Sequence, residues 1–176
     1  MSKCFSNVKF QDDTVSFKFN GTPLEANRVR TIFLTKIPTI AVDRVEIHKN
    51  SSVHIDELLI SRLELIPILV DATKFSDQDF LVFDVAKKDT FVMSTDITGK
   101  YPFMEKIVII QLKKGQEFAC RMFARKGTGG MHAKWSAVAG VGYKKIKEDE
   151  YLITVRSNGV YKPSHLFEIG SEIYLK

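Results

Sequence analysis

Short segments that carry aromatic residues on one face constrain this chain more than any other feature. In Val15-Ser16-Phe17-Lys18-Phe19 the apolar residues take alternate positions, so an extended backbone there has one apolar face and one polar face. The chain has 13 Phe in 176 residues, and clusters such as Phe80-Leu81-Val82-Phe83 recur, which favours sheet over an all-helical fold. Val8 to Phe10 predicts a strand before that segment, Asp12-Asp13 a polar turn between the two, and Asn20-Gly21-Thr22-Pro23 a turn after them. A helix fits Leu24 to Lys36, with Leu24, Val29, Ile32 and Phe33 on a common face. A second helix fits His54 to Leu65, with Ile55, Leu58, Leu59, Arg62 and Leu63 near the helical spacing. Pro38 and Pro67 close these helices, and Ile40, Val42, Val45 and Ile47 lie in an extended stretch between them.

From Ile68 to about Glu150 the pattern is strand-like: Phe80 to Val85, Thr90 to Met93, Ile107 to Leu112 and Glu117 to Ala124. Lys113-Lys114-Gly115-Gln116 is expected to turn between the last two, with Gly115 supplying conformational freedom. Tyr151 to Arg156 is one more alternating strand. Ser164 to Lys176 makes a marginal helix, weakened by Gly170, that needs packing to persist. The fold class is therefore α+β, with a mainly β block that forms a second small domain or layer.

Composition narrows the function classes without choosing one. Apolar residues are 44% and charged residues 27%, ordinary for a folded protein. Cys4 and Cys120 give neither a disulfide framework nor a paired-cysteine metal knuckle. No apolar run approaches the ~20 residues of a membrane-spanning helix. The four histidines are dispersed, Asp56 and Glu57 sit where a helix begins, and Asp12-Asp13 reads as a turn rather than a carboxylate pair. No nucleophile elbow is present. Arg125-Lys126-Gly127-Thr128-Gly129-Gly130 lacks the order of a Walker loop and reads as a structural loop. Phe118 to Lys147 contains no acidic residue but holds Arg121, Arg125, Lys126, Lys134, Lys144, Lys145 and Lys147. Such a stretch suits nucleic-acid phosphates, an acidic protein patch or an ordinary solvated face.

The run NRVRTIFLTKIPTIAVDRVEIHKNSSVHIDELLISRLELIPI, from Asn27 to Ile68, resembles the α-type assembly subunits of DNA-directed RNA polymerases. That family comprises an archaeal form, the third-largest subunit of eukaryotic polymerase II and, more distantly, bacterial alpha. Ile37-Pro38-Thr39, Asn50-Ser51-Ser52-Val53, Asp56-Glu57 and Arg62-Leu63 carry the likeness. A second match covers Leu112 to Glu117 and Arg125 to Ser136, similar to the insert domain of the archaeal and eukaryotic branch. Val155-Arg156-Ser157-Asn158-Gly159 is similar to the chain's return into the dimerisation domain.

The resemblance implies a discontinuous dimerisation domain, residues 1–67 with a return segment and truncated terminal helix at 151–176, interrupted by a mainly β insert domain at 68–150. It implies a non-catalytic scaffold that heterodimerises with a smaller α-like subunit and nucleates assembly of the two large catalytic subunits. The chain would belong to a nucleotidyltransferase complex without holding an active site or a cofactor, with Mg in the catalytic subunit. Asn27, Arg30, Arg62, Arg125, Lys126, His132, Lys134 and Trp135 are the expected subunit-interface residues. Partners would be the small α-like subunit and the largest and second-largest subunits, with DNA and RNA met only through the complex and no membrane. An independent nucleic-acid-binding transcription regulator is the alternative.

Several positions depart from the family pattern. Thr31 follows Arg30 where two adjacent arginines are usual, Glu64 replaces a glycine and Ala137 a proline. The cysteine-bearing loop of many insert domains is absent, so its metal cluster is not carried over. The family continues into a long helix beyond the position of Lys176. These departures point to a compact viral version, placed in cytoplasm or virion; a cellular eukaryotic homologue would be nuclear.

Overall fold

Alternation in the first strands is answered by a sheet with one covered face. The structure is a computed structural model and describes residues 4–76 and 79–176. β1 (Phe5–Gln11) and β2 (Thr14–Asn20) pair antiparallel, with Gln11 opposite Thr14. Asp12 takes φ 48° in the turn between them, a conformation that Asp tolerates better than most side chains. α1 (Pro23–Thr35) starts from a capping box in which Thr22 and Glu25 satisfy each other's backbone amides, with proline in its first turn. Hydrogen bonding to Thr22 lowers the Glu25 pKa. The helix buries Ala26, Val29, Ile32 and Phe33. Leu24 does not join them and is 80% exposed. Five residues separate it from Val29, which turns it about 140° away from that side chain.

The remaining elements, in chain order, are β3 (Pro38–Asn50), α2 (Asp56–Glu64), β4 (Phe80–Lys88), β5 (Phe91–Met93), β6 (Thr98–Gly99), β7 (Val108–Gln111), β8 (Glu117–Thr128), β9 (Val138–Lys147), β10 (Glu150–Ser157) and α3 (Pro163–Leu175). The chain divides into two compact units, Met1–Pro38 with Thr128–Lys176, and Thr39–Gly127.

The first unit is a four-stranded sheet in the order β1-β2-β10-β9, with α1 and α3 over it. Its core is aromatic. Phe17 and Phe167 meet edge-on at 4.9 Å, and Phe5 lies 5.6 Å from Phe17. Full burial of a side chain such as Phe17 is worth about 1.5–3 kcal/mol. α3 is held by Leu166, Phe167 and Ile169, all buried in this core. Gly170 explains how a helix carrying a glycine is nevertheless kept: a Cβ there would sit 2.4 Å from the Phe33 ring, so its absence lets α1 and α3 approach.

The second unit has a four-stranded sheet in the order β3-β8-β4-β6 and a β5-β7 ribbon. Its core is mostly aliphatic, with Val42, Leu59, Leu63, Ile109 and Ile110 buried and Phe83 and Phe118 among them. From α2 only Leu59 and Leu63 are buried; Ile55 is its N-cap residue, and both Ile55 and Leu58 are exposed. Gly115 turns the chain at φ 85° as expected, but β7 and β8 lie in different sheets, so the turn passes between sheets and closes no hairpin.

The unit bounds at 38/39 and 127/128 do not coincide with the division at 67/68 and 150/151 drawn from the family pattern. β3 pairs into the second sheet and α2 packs on the same core, which carries residues 39–67 with the second unit. β9, not anticipated as a strand, pairs with β10 in the first sheet.

Candidate subunit-assembly surface

α1 turns a mixed face outward from the first unit. Asn27, Arg28 and Thr31 are exposed on it and Arg30 is half-buried. The Thr31 hydroxyl donates to the Asn27 carbonyl at 2.9 Å, the back-bond open to a hydroxyl in mid-helix. The Arg28 guanidinium lies 5.6 Å from the Tyr174 ring centroid of α3. Leu24, Asn27, Arg28, Thr31, Ile32 and Ile173 line a shallow groove of about 510 Å³ together with Lys36. Arg30 makes no ion pair among the described residues, so its guanidinium retains its capacity for a carboxylate.

The glycine-rich run lies against the end of the same helix. Gly130 N–H donates to the Thr35 carbonyl at 3.0 Å, and a Cβ on Gly129 would fall 2.3 Å from the Leu34 carbonyl oxygen. These glycines serve close backbone approach. They do not frame a phosphate cradle. His132 is exposed, and its Nδ1 accepts from the Lys134 N–H at 3.2 Å, which caps the short 3-10 turn Ala133–Trp135. The Lys134 ammonium sits 4.6 Å over the Trp135 ring, an arrangement favoured by the ring's negative face. Trp135 is only 3% exposed, so the indole anchors the loop beneath His132 and Lys134 and presents little surface of its own.

Five of the eight expected interface residues, Asn27, Arg30, His132, Lys134 and Trp135, thus fall in the first unit. Arg62, Arg125 and Lys126 fall in the second, where each is engaged inside the chain. Arg62 Nη1 donates to the Ile109 carbonyl at 2.8 Å and ties α2 to β7. Arg125 Nε reaches Asp43 at 2.6 Å, and Lys126 Nζ donates to the Phe75 carbonyl at 3.0 Å. Arg121 pairs with Asp84 at 2.8 Å. Acids on β3 and β4 therefore answer two of the seven cations between Phe118 and Lys147, Arg121 and Arg125.

Among the described residues, the shifted carboxyl and thiol groups take their shifts from burial or from local hydrogen bonds and ion pairs. Burial pushes the Cys120 thiol up to about 12, which keeps it protonated and unreactive. Asp13 is lowered by its hydrogen bond from Arg156, Glu150 by Lys18 and Asp96 by Lys87, each at a surface ion pair. Among the described residues no three His, Cys, Asp or Glu side chains gather as metal ligands. No helix among them is long and apolar enough to cross a membrane. The arrangement is equipped to bind. Sequence reading missed the contribution of Ile173 to the groove; the outward stripe of Leu24, Asn27, Arg28 and Thr31 at three- and four-residue spacing was the available signal.

Comparison with known proteins decides the family. The chain is 33% identical over 152 residues to DNA-directed RNA polymerase subunit Rpo3 of Methanocaldococcus jannaschii, covering 84% of this chain and 78% of that one. The chain belongs to the α-type subunit family of DNA-directed RNA polymerases. Among other members of this polymerase family, it is 30% identical to subunit 3 of RNA polymerases II, IV and V of Arabidopsis thaliana over 76% of its length. It is 29% identical over 93% of its length to subunit RPAC1 of RNA polymerases I and III of Mus musculus. The chain spans 54% and 60% of those two polymerase subunits. No protein-family model matches it.

Proposed function

We propose that the chain is a non-catalytic scaffold of a DNA-directed RNA polymerase, pairing with a smaller α-like subunit so that the pair recruits the two large catalytic subunits. The observation that carries the docking reading is the outward face of α1. Leu24 is 80% exposed and borders a groove completed by Ile173, while the helix already buries four other side chains in its own core. Apolar surface rimmed by Asn27, Arg28 and Lys36 is the composition of a protein interface. His132 and Lys134, on the loop against the end of α1, supply a second polar contact. Magnesium chemistry and template contacts are assigned to the large subunits, with no cofactor held here. The departures at Thr31, Glu64 and Ala137 support a diverged, viral member acting in cytoplasm or virion, with the nucleus as the setting of a cellular eukaryotic one.

The alternative, a free nucleic-acid-binding regulator, draws less support because Asp84 and Asp43 already face Arg121 and Arg125. Purification of the native particle through this chain tests the proposal. A complex with an α-like subunit and two large subunits is expected, and Leu24→Asp together with Arg30→Ala should lower partner retention by at least about tenfold, the scale of an interface hot spot. Recovery of a monomer or homodimer without those subunits would overturn it.

A further inference from the structure

We propose that β9 is a docking edge for an extended, acidic protein segment, which adds to the first sheet as a fifth strand. β9 ends the order β1-β2-β10-β9, so one side of its backbone faces no strand of the described residues. Between register shifts at Ala139 and Ile146, its pairing with β10 is continuous from Gly140 opposite Arg156 to Lys145 opposite Tyr151, which makes the free side over those six residues a regular row of donors and acceptors. The opposite edge is different. β1 has a register break between Ser6 and Lys9, and Asn7 takes φ 50°, so that edge is kinked and a poor template.

Charge identifies the occupant. Lys144, Lys145 and Lys147 are exposed on β9, and none makes an ion pair among the described residues. A second copy of β9 would set lysine against lysine, which is destabilising across a strand pair, whereas glutamates or aspartates would meet complementary charge. Tyr143, 43% exposed and on the same face as Lys145, adds apolar contact for alternate residues of the incoming segment. Lysines on an edge also serve simply to repel other edges, and the test separates that role from docking. The proposal concerns a surface other than the α1 groove and stands or falls independently of the polymerase pairing.

The probe is a fluorescent peptide of alternating Glu and Val, mixed with the full chain at low salt. Binding that weakens with salt, with slowed amide exchange along Gly140–Lys147, is expected. Lys144→Gln, Lys145→Gln and Lys147→Gln together should weaken it severalfold, and the matching Glu variants by at least about tenfold, since the peptide's Glu face meets either Lys144 and Lys147 on one side of the strand or Lys145 on the other. Thermal melts identify any variant that fails to fold, and the Gln set then carries the test. A peptide N-methylated at alternate residues on its pairing side should not bind, because strand addition needs its amides. Equal binding by the methylated peptide, tighter binding and protection by a dT oligonucleotide, or no binding by the Glu-Val peptide would each overturn the proposal.

Discussion

β8 and β9 carry similar charge and treat it in opposite ways. Along β8, Arg121 faces Asp84, Arg125 faces Asp43 and Lys126 reaches the Phe75 carbonyl, so each cation is tied into the second unit. Along β9, Lys144, Lys145 and Lys147 stand exposed without an ion pair among the described residues. A basic run in sequence therefore says little about a binding face until the acids opposite each strand are known. β8 is central and meets strands on both sides, whereas β9 is an edge. The position of each strand in its sheet decides which charge is available to a partner.

The sharpest way to break this comparison is to remove the acid that answers Arg125. Its pair with Asp43 is partly shielded, the side chains being 36% and 28% exposed. Asp43→Ala should cost about 1–3 kcal/mol, because a charged donor loses its acceptor in a half-buried place. Urea unfolding measures it, and a loss indistinguishable from zero would mean that β8 holds its charge as loosely as β9. Asp84→Ala should cost clearly less than Asp43→Ala, since that pair is half exposed and screened by water. The difference between these two substitutions sharpens the claim that burial, and not the mere count of pairs, fixes β8.

Much of the fold was legible because local chemistry agreed with tertiary structure. Val15, Phe17 and Phe19 alternate and are buried, Val29, Ile32 and Phe33 share the buried face of α1, and Gly115 turns where its freedom is needed. β9 was not legible. Ala139, Gly140, Val141 and Gly142 show no clean alternation, and glycine carries low strand propensity, so the strand exists through its pairing with β10. Unit membership was hidden for the same reason, since β3 and β9 are each assigned by distant partners. The candidate surface was legible only in part. Asn27 and Arg30 lie on a helix that the apolar spacing marks out, but the internal partners of Arg62, Arg125 and Lys126 come from residues remote in sequence.

Acid titration adds a smaller test, directed at the pairs that hold β10, the strand beside β9, to β2 and its turn. Asp13 is lowered from its ordinary 3.8 by Arg156, and Glu150 from 4.5 by Lys18, so both ends of β10 are clasped to β2 or its turn. A carboxyl lowered in the folded state contributes stability that is present above its unfolded pKa and is lost as pH falls through the lower folded value. Asp13→Asn with Glu150→Gln should flatten the fall in stability below about pH 4.5 relative to the parent. Unfolding curves at pH 3 and 6 check this, and an unchanged slope would show that these pairs do not distinguish folded from unfolded chain.

The smallest expected effect belongs to β9 itself. Replacing Lys144, Lys145 and Lys147 by Gln should leave unfolding stability within about 0.5 kcal/mol, since exposed side chains without intrachain ion pairs have little to lose. The same substitution removes three positive charges from one edge, so its consequence should appear in association and not in folding. A stability loss equal to that of Asp43→Ala would mean that the β9 lysines are tied down within the chain as firmly as the β8 arginines, and the contrast between the two strands would be lost. A neutral result makes the contrast energetic as well as geometric: β8 holds its charge for the fold, and β9 leaves its charge for whatever meets the edge.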